Sequence, residues 1–286
     1  MNFYITTPIY YTNDIPHIGH AYTSIACDII ARYNKLLGNN VFFLTGTDEH
    51  GQKVEKAAIN SNLKPKEFVD KLSVNFINLI PFLGCEIDDF IRTTEKRHSD
   101  KVKKILQQLF DDGEIYKDKY EGMYSVSEER FITQKEAEEG EFRQVKKLVE
   151  ENYFFKMSKY QSKLIKYIKN NPEFIQPEGR KNEVLGFLNK PLNDLCISRP
   201  KSRLKWGIEL PFDNNYVTYV WFDALLNYIT AIGWDHNEES FRETWPANYH
   251  LIGKDILTTH AVYWATMLLA IGLPLPKTIF AHGWWL

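Results

Sequence analysis

Phe3-Tyr4-Ile5-Thr6-Thr7-Pro8-Ile9-Tyr10-Tyr11-Thr12-Asn13-Asp14-Ile15-Pro16-His17-Ile18-Gly19-His20 runs near the start of the chain. The apolar run from Phe3 to Ile9 reads as a strand, the residues up to Pro16 as a turn, and those after it as a helix. Ile18, Ala21, Tyr22, Ile25, Ile29, Tyr33 and Leu36 recur at steps of three and four, the spacing of one helical face, which is expected to be buried. The helix therefore begins at the histidines.

Unpaired backbone N–H groups and the positive end of the helix dipole make such a start a place for anions, phosphate above all. His17 and His20, three residues apart, share a face and can donate to phosphate oxygens, while Gly19 lets a flat ring approach the backbone. Two other readings stay open at this point: ordinary polar residues at a helix start, and a zinc pair lacking a third ligand at metal-like spacing.

Downstream, Val41-Phe42-Phe43-Leu44 reads as a buried strand of a parallel sheet, followed by the loop Thr45-Gly46-Thr47-Asp48-Glu49-His50-Gly51. Helical patterns over 65–79 and 95–110, with a short strand near Phe90 and Ile91, continue a Rossmann-like alternation. From Glu114 the texture changes to alternating Ile115, Tyr116, Tyr120, Met123, Tyr124 and Val126, which predicts antiparallel hairpins with Gly122 as a turn. An acidic, helix-prone segment (128–141), a lysine-rich amphipathic helix (160–169) and a proline-rich stretch follow. Near Val217 the α/β texture resumes: Tyr219-Val220-Trp221-Phe222 precede Asp223 and a helical pattern through Ile229, with Trp221 expected just after a strand, and strands are expected again at 249–252 and 278–281.

The predicted fold is thus α/β, a Rossmann-like parallel sheet split by an inserted connective module of antiparallel hairpins and helices. Its expected parts are 1–114, the first half of the catalytic domain; 115–214, the insertion; and 215–286, the second half. Ligands of open α/β sheets bind outside the carboxyl ends of the strands, so Tyr11, His17, Asp48, Trp221, Asp255 and His282 should converge on one crevice.

Composition bounds the function. A net charge of −2 offers no electrostatic case for nucleic-acid binding by the chain as a whole, and the lysines of the middle region are interleaved with glutamates. Cys27, Cys85 and Cys196 lie far apart with no C-x-x-C pair, which argues against a disulfide framework or a zinc knuckle. The longest apolar stretch, 261–271, falls short of the roughly 20 residues of a membrane span, and no signal-peptide pattern opens the chain, so no membrane partner and a cytoplasmic location are expected.

Several of these segments together resemble the catalytic domain of the class I aminoacyl-tRNA synthetases, and among them the methionyl-tRNA synthetase family. The likeness is carried by Thr7-Pro8-Ile9-Tyr10-Tyr11 before His17-Ile18-Gly19-His20, by the segment 45–53 (T-G-T-D-E-H-G-Q-K), by Val220-Trp221-Phe222-Asp223-Ala224, by Leu251-Ile252-Gly253-Lys254-Asp255-Ile256, and by His282-Gly283-Trp284. It implies that Asp48 pairs with the α-amino group of methionine and that Ile9, Tyr11, Trp221, Ala224, Tyr228, Ile256 and His260 line the side-chain pocket. Aromatic walls suit a polarizable thioether, and His260 or Tyr11 is expected to supply a polar touch at the sulfur. It further implies that His17, Gly19 and His20 bind ATP, with His17 and His20 in the catalytic role, and that Gly253 and Asp255 lie near the ribose. The implied reaction is attack of the methionine carboxylate on the α-phosphorus of ATP, with Mg²⁺ on the departing pyrophosphate, followed by acyl transfer to the terminal ribose of methionine tRNA.

Class I synthetases carry a second signature, K-M-S-K-S. Lys156-Met157-Ser158-Lys159-Tyr160 matches four of its positions but lies inside the insertion, where Ser158 and Gln161 form a capping-box pattern, and we read it as a decoy. The functional lysine loop and the anticodon-binding domain are expected beyond residue 286, so that this stretch keeps a methionine pocket but activates methionine poorly. Tyr120 to Phe131 contains no cysteine, in contrast to relatives with zinc knuckles, and no zinc is expected. Three alternatives stand beside this reading: a class I synthetase for leucine, isoleucine, valine or cysteine, a nucleotidylyltransferase acting without tRNA, and an inactive binding module of the same fold.

Overall fold

The structure is a computed structural model that describes residues 1–125, 130–132, 145–235 and 238–284. β1 (Asn2–Thr6) and β2 (Tyr10–Tyr11) precede helix α1 (Ile18–Leu36), and β3 (Asn40–Asp48) completes a βαβ unit. Helices α2 (Gln52–Asn60) and α3 (Pro65–Phe82), strand β4 (Asp89–Arg92) and helix α4 (Lys96–Asp111) follow. Next come β5 (Ile115–Ser125), β6 (Arg130–Ile132), β7 (Val145–Phe155), β8 (Ile175–Gln176), β9 (Leu195–Cys196), β10 (Ser198–Pro200), β11 (Glu209–Leu210) and β12 (Asp213–Thr218). β13 (Tyr249–Gly253) and β14 (Thr278–His282) return to the first layer.

A seven-stranded sheet in the order β2-β3-β1-β13-β14-β8, with β4 against β3, forms the frame, and every pairing in it is parallel. β1 and β3 contribute Tyr4, Ile5, Phe43 and Leu44, all but inaccessible, because a sheet covered on both faces needs near-continuous apolar strands. Gly46 is required inside β3, since a Cβ there would stand 2.0 Å from the carbonyl oxygen of Ile91 on β4. Strand β8, which falls inside the stretch 115–214, adds a parallel edge strand beside β14. Two antiparallel sheets, β6-β5-β7-β9 and β10-β12-β11, make up most of the remainder. This is the Rossmann-like architecture with an antiparallel insertion that the sequence predicted.

Three local expectations are corrected. The apolar stripe of α1 faces outward: Ile29 and Tyr33 are each 61% exposed and Leu36 86%, whereas Ser24 and Cys27 are fully buried. The helix lies on the sheet with its small, polar face, where Ser24 bonds the Tyr10 hydroxyl at 2.8 Å and Asp28 accepts from the Glu86 backbone N–H at 2.8 Å. Small side chains let helix and sheet approach closely, and those buried polar groups find partners there. Second, Gly122 is no turn but lies within β5, paired with Leu148. Third, Arg130–Ile132 in the acidic segment is a strand, while 126–129 and 133–141 lie outside the described residues.

Candidate active site

His17 is the N-cap of α1, with extended backbone (φ −129°, ψ 175°). Its Nδ1 accepts from the Gly19 backbone N–H at 3.1 Å, and its own backbone N–H donates to Nδ1 of His20 at 3.0 Å. A ring nitrogen that accepts carries no proton, so each neutral imidazole holds its proton on Nε2. Capping thus fixes both tautomers and leaves two Nε2–H donors beside a helix N-terminus. The rings lie 3.8 Å apart, and His20 packs on Tyr10 and Phe76. Burial, with His17 next to it, pulls the His20 pKa down to about 4, so this imidazole is neutral at pH 7. A Cβ on Gly19 would stand 3.0 Å from the His17 ring, which is the local reason for a glycine here.

The carboxyl ends of the parallel strands supply the next group. Asp48 ends β3 and is buried, its carbonyl accepting from the Thr12 N–H and hydroxyl at 3.0 Å each. Gly253 ends β13, and a Cβ on it would meet a carboxylate oxygen of Asp255 at 2.5 Å, so the glycine makes room for that side chain. The Trp284 indole N–H donates to the same carboxylate at 3.2 Å. His282 ends β14, with Nε2 2.8 Å from the Thr23 hydroxyl.

The helical segment after β12 carries Trp221, Ala224 and Tyr228, and a π-helical turn, Thr259–Trp264, carries His260. Nδ1 of His260 donates to the Ile256 carbonyl at 2.9 Å, so its Nε2 is bare and accepts from the Tyr228 hydroxyl at 2.8 Å. Burial holds the His260 pKa at about 4. Both ring nitrogens are therefore engaged within the protein, which corrects the expectation that His260 offers a free polar contact to a thioether.

One cavity of about 480 Å³ joins these groups, a size suited to a small-molecule site. Ile9, Tyr11, Asp48, Trp221, Ala224, Tyr228, Ile256 and His260 line it, and so do His17, Gly19, His20, Gly253 and Asp255. All the site residues singled out in the sequence thus share one cavity. Its remaining lining includes Thr23, Asn227, His282 and Trp284. Thr23 and Asn227 were missed because a polar residue inside a helical pattern carries no signal of its own.

Lys156 and Lys159 do not line the cavity. Lys159 pairs with Glu114, and the Ser158 N–H and hydroxyl both donate to Asp194 at 3.0 and 2.6 Å. The capping box expected of Ser158 and Gln161 does not form; the Gln161 amide instead bonds the carbonyls of Leu188 and Lys190 at 2.8 Å each. Among the described residues no group of three or more His, Cys, Asp or Glu is placed to hold a metal ion. No helix of the described residues is long and apolar enough to cross a membrane.

Comparison with known proteins points the same way. The profile of the family described as tRNA synthetases class I (M) matches residues 3–141 and 139–286. The chain is 51% identical over 287 residues to the methionine–tRNA ligase of Rickettsia bellii, covering 99% of this chain and 56% of that protein. It is 48% identical over 299 residues to that of Bacillus subtilis, covering 99% and 45%. Among solved structures, methionyl-tRNA synthetase of Mycobacterium tuberculosis in complex with methionyl-adenylate superimposes with a TM-score of 0.93 at 43% identity, over 99% of this chain and 57% of that one. The free state of the same enzyme gives a TM-score of 0.84 at 40% identity, over 99% and 56%. The chain spans about half the length of the curated relatives it matches.

Proposed function

The chain belongs to the class I tRNA synthetases of the methionine type, and on that premise we propose that it condenses methionine with ATP to methionyl-adenylate and, in the whole protein, passes the methionyl group to the 3′-terminal ribose of methionine tRNA. One observation carries the reading: a single cavity combines a buried carboxylate, an aromatic wall and two imidazoles whose Nε2–H groups stand at a helix N-terminus. In this assignment Asp48, a buried carboxylate in the cavity lining, receives the methionine ammonium as a charge-assisted hydrogen-bond acceptor. Trp221, Tyr228, Ile9 and Ile256 enclose the side chain, while Asp255 accepts from the ribose hydroxyls. His17 and His20 donate to the phosphate oxygens and stabilise the charge that gathers as the carboxylate oxygen bonds to the α-phosphorus and pyrophosphate departs. No protein nucleophile is needed; the acceleration comes from positioning and fixed donors.

Mg²⁺ bound to the ATP phosphates would supply charge neutralisation on the leaving group. Family membership sets aside the leucine, isoleucine, valine and cysteine enzymes and the tRNA-independent nucleotidylyltransferases. Thermal unfolding with methionine, leucine or cysteine tests the proposal: methionine alone should raise the melting temperature, and no shift with methionine would overturn the pocket assignment.

A further inference from the structure

The turn Glu49-His50-Gly51, directly after Asp48, is gripped by a side chain from the stretch 115–214. The Trp206 indole N–H donates to the Glu49 carbonyl at 2.5 Å, and the Trp206 carbonyl accepts from the Gly51 N–H at 3.2 Å. Its ring centroid lies 5.5 Å from that of His50. Gly51 has φ 107°, which only glycine adopts without strain, so the turn is shaped for this grip. Next to it, the Lys205 backbone N–H donates to Glu55 at 3.1 Å.

A second hold comes from the other half of the sheet. His50 Nδ1 meets Asp223 Oδ2 at 2.7 Å, with both side chains buried, and Asp223 is two residues past Trp221. The Glu49 carboxylate is locked by Arg92 at 2.6 and 3.0 Å and by Thr47 at 2.8 Å. The Asp48 carbonyl is thus held by Thr12, and the turn that follows it by Trp206 at Glu49 and by Asp223 at His50. A charge-assisted bond to an ammonium works only within a narrow range of distances, so an anchor held in advance avoids the cost of ordering it on binding.

We propose that Trp206, together with the His50–Asp223 pair, is a positioning residue for the methionine amine, acting through Asp48. This rests on the reading that Asp48 receives the ammonium. The test is calorimetric binding of methionine and of its desamino analogue, 4-(methylsulfanyl)butanoate, to the chain and to W206F, D223N, D48N and W206F/D48N. D48N should erase the preference for methionine over the analogue. W206F, which keeps a ring and loses the N–H, should weaken methionine about tenfold, shift the analogue by less than about twofold, and add nothing to D48N. ATP affinity should be unchanged in W206F. D223N reaches the same turn from the opposite side and should give the same amine-selective loss, so the proposal stays testable if W206F fails to fold. Equal losses for both ligands, or additive losses in the double variant, would overturn the proposal while leaving the Asp48 reading intact. A preference retained by D48N would overturn that reading and this proposal with it.

Discussion

The paired histidines show how a capping interaction sets chemistry at the level of single atoms. Each Nδ1 accepts a backbone N–H, which leaves each Nε2–H to donate. Burial holds His20 and His260 at about 4 and His98 at about 3, all below the ordinary value of 6.5. The unfolded chain then binds more protons than the folded one between those values and 6.5, so stability falls as pH drops through that window. The melting temperature should fall from pH 7 towards pH 5, where ordinary carboxylates still keep their charge, and H260Q should flatten the decline; a level profile would contradict the burial argument. Gly253→Ala is a second residue-scale expectation. The added Cβ would strike the Asp255 carboxylate, so ATP affinity should drop about tenfold, the equivalent of one lost charged hydrogen bond, with methionine affinity unchanged in a titration of each ligand. These residues were legible in the sequence because each sits in a short motif at the mouth of an element. Trp206 and the His50–Asp223 pair were not, since no local pattern reveals a contact across 157 or 173 positions.

Helix α1 marks the limit of periodicity as a guide to burial. Its three-and-four spacing of isoleucine, tyrosine and leucine is real, yet the face against the sheet is Thr23, Ser24, Cys27, Asp28 and Ala31. Ala31→Leu should therefore destabilise the chain by about 1–3 kcal/mol through overpacking, whereas Ile29→Gln should stay within about 0.5 kcal/mol, as urea unfolding of both would reveal. The opposite ranking would restore the apolar stripe as the packed face. The helix that opens at Val220 is likewise directed by a remote contact. There the Tyr219 N–H bonds the Ile197 carbonyl at 2.7 Å and the chain turns inward, which buries Phe222 and brings Trp221 to the cavity. Within the insertion, Lys159 spends its charge on Glu114, an exposed amine against a buried carboxylate. Lys159→Ala should cost about 1 kcal/mol or less in stability and leave methionine and ATP binding as they were; loss of ATP binding would reinstate the 156–159 segment as a phosphate site.

At the scale of the molecule, seven parallel strands bring segments far apart in the chain to one edge, and the cavity lies at their carboxyl ends. Cys27 and Cys85 are buried and apart from any ligand set among the described residues, and the expectation of a zinc-free protein carries over to a test. Treatment with a chelator should leave the melting temperature unchanged, and elemental analysis should find well under one equivalent of zinc; a loss of stability on chelation would sink that expectation. Saturating methionine at a hundredfold its dissociation constant should add about 2.7 kcal/mol, a size of effect that the thermal measurement resolves easily. What the sequence determined by itself was the alternation of elements, the family likeness and the identity of the residues around the cavity, because strand-end motifs and helix caps are local and keep their meaning wherever the chain goes. Only the tertiary structure decided which face of α1 is buried, that Gly122 lies within a strand, that His260 has no nitrogen to spare, and that Trp206 grips the turn beside Asp48. Those outcomes depend on which hydrogen-bond partners and close-packed surfaces remote segments present to one another, and that is a property of the folded chain rather than of any window along it.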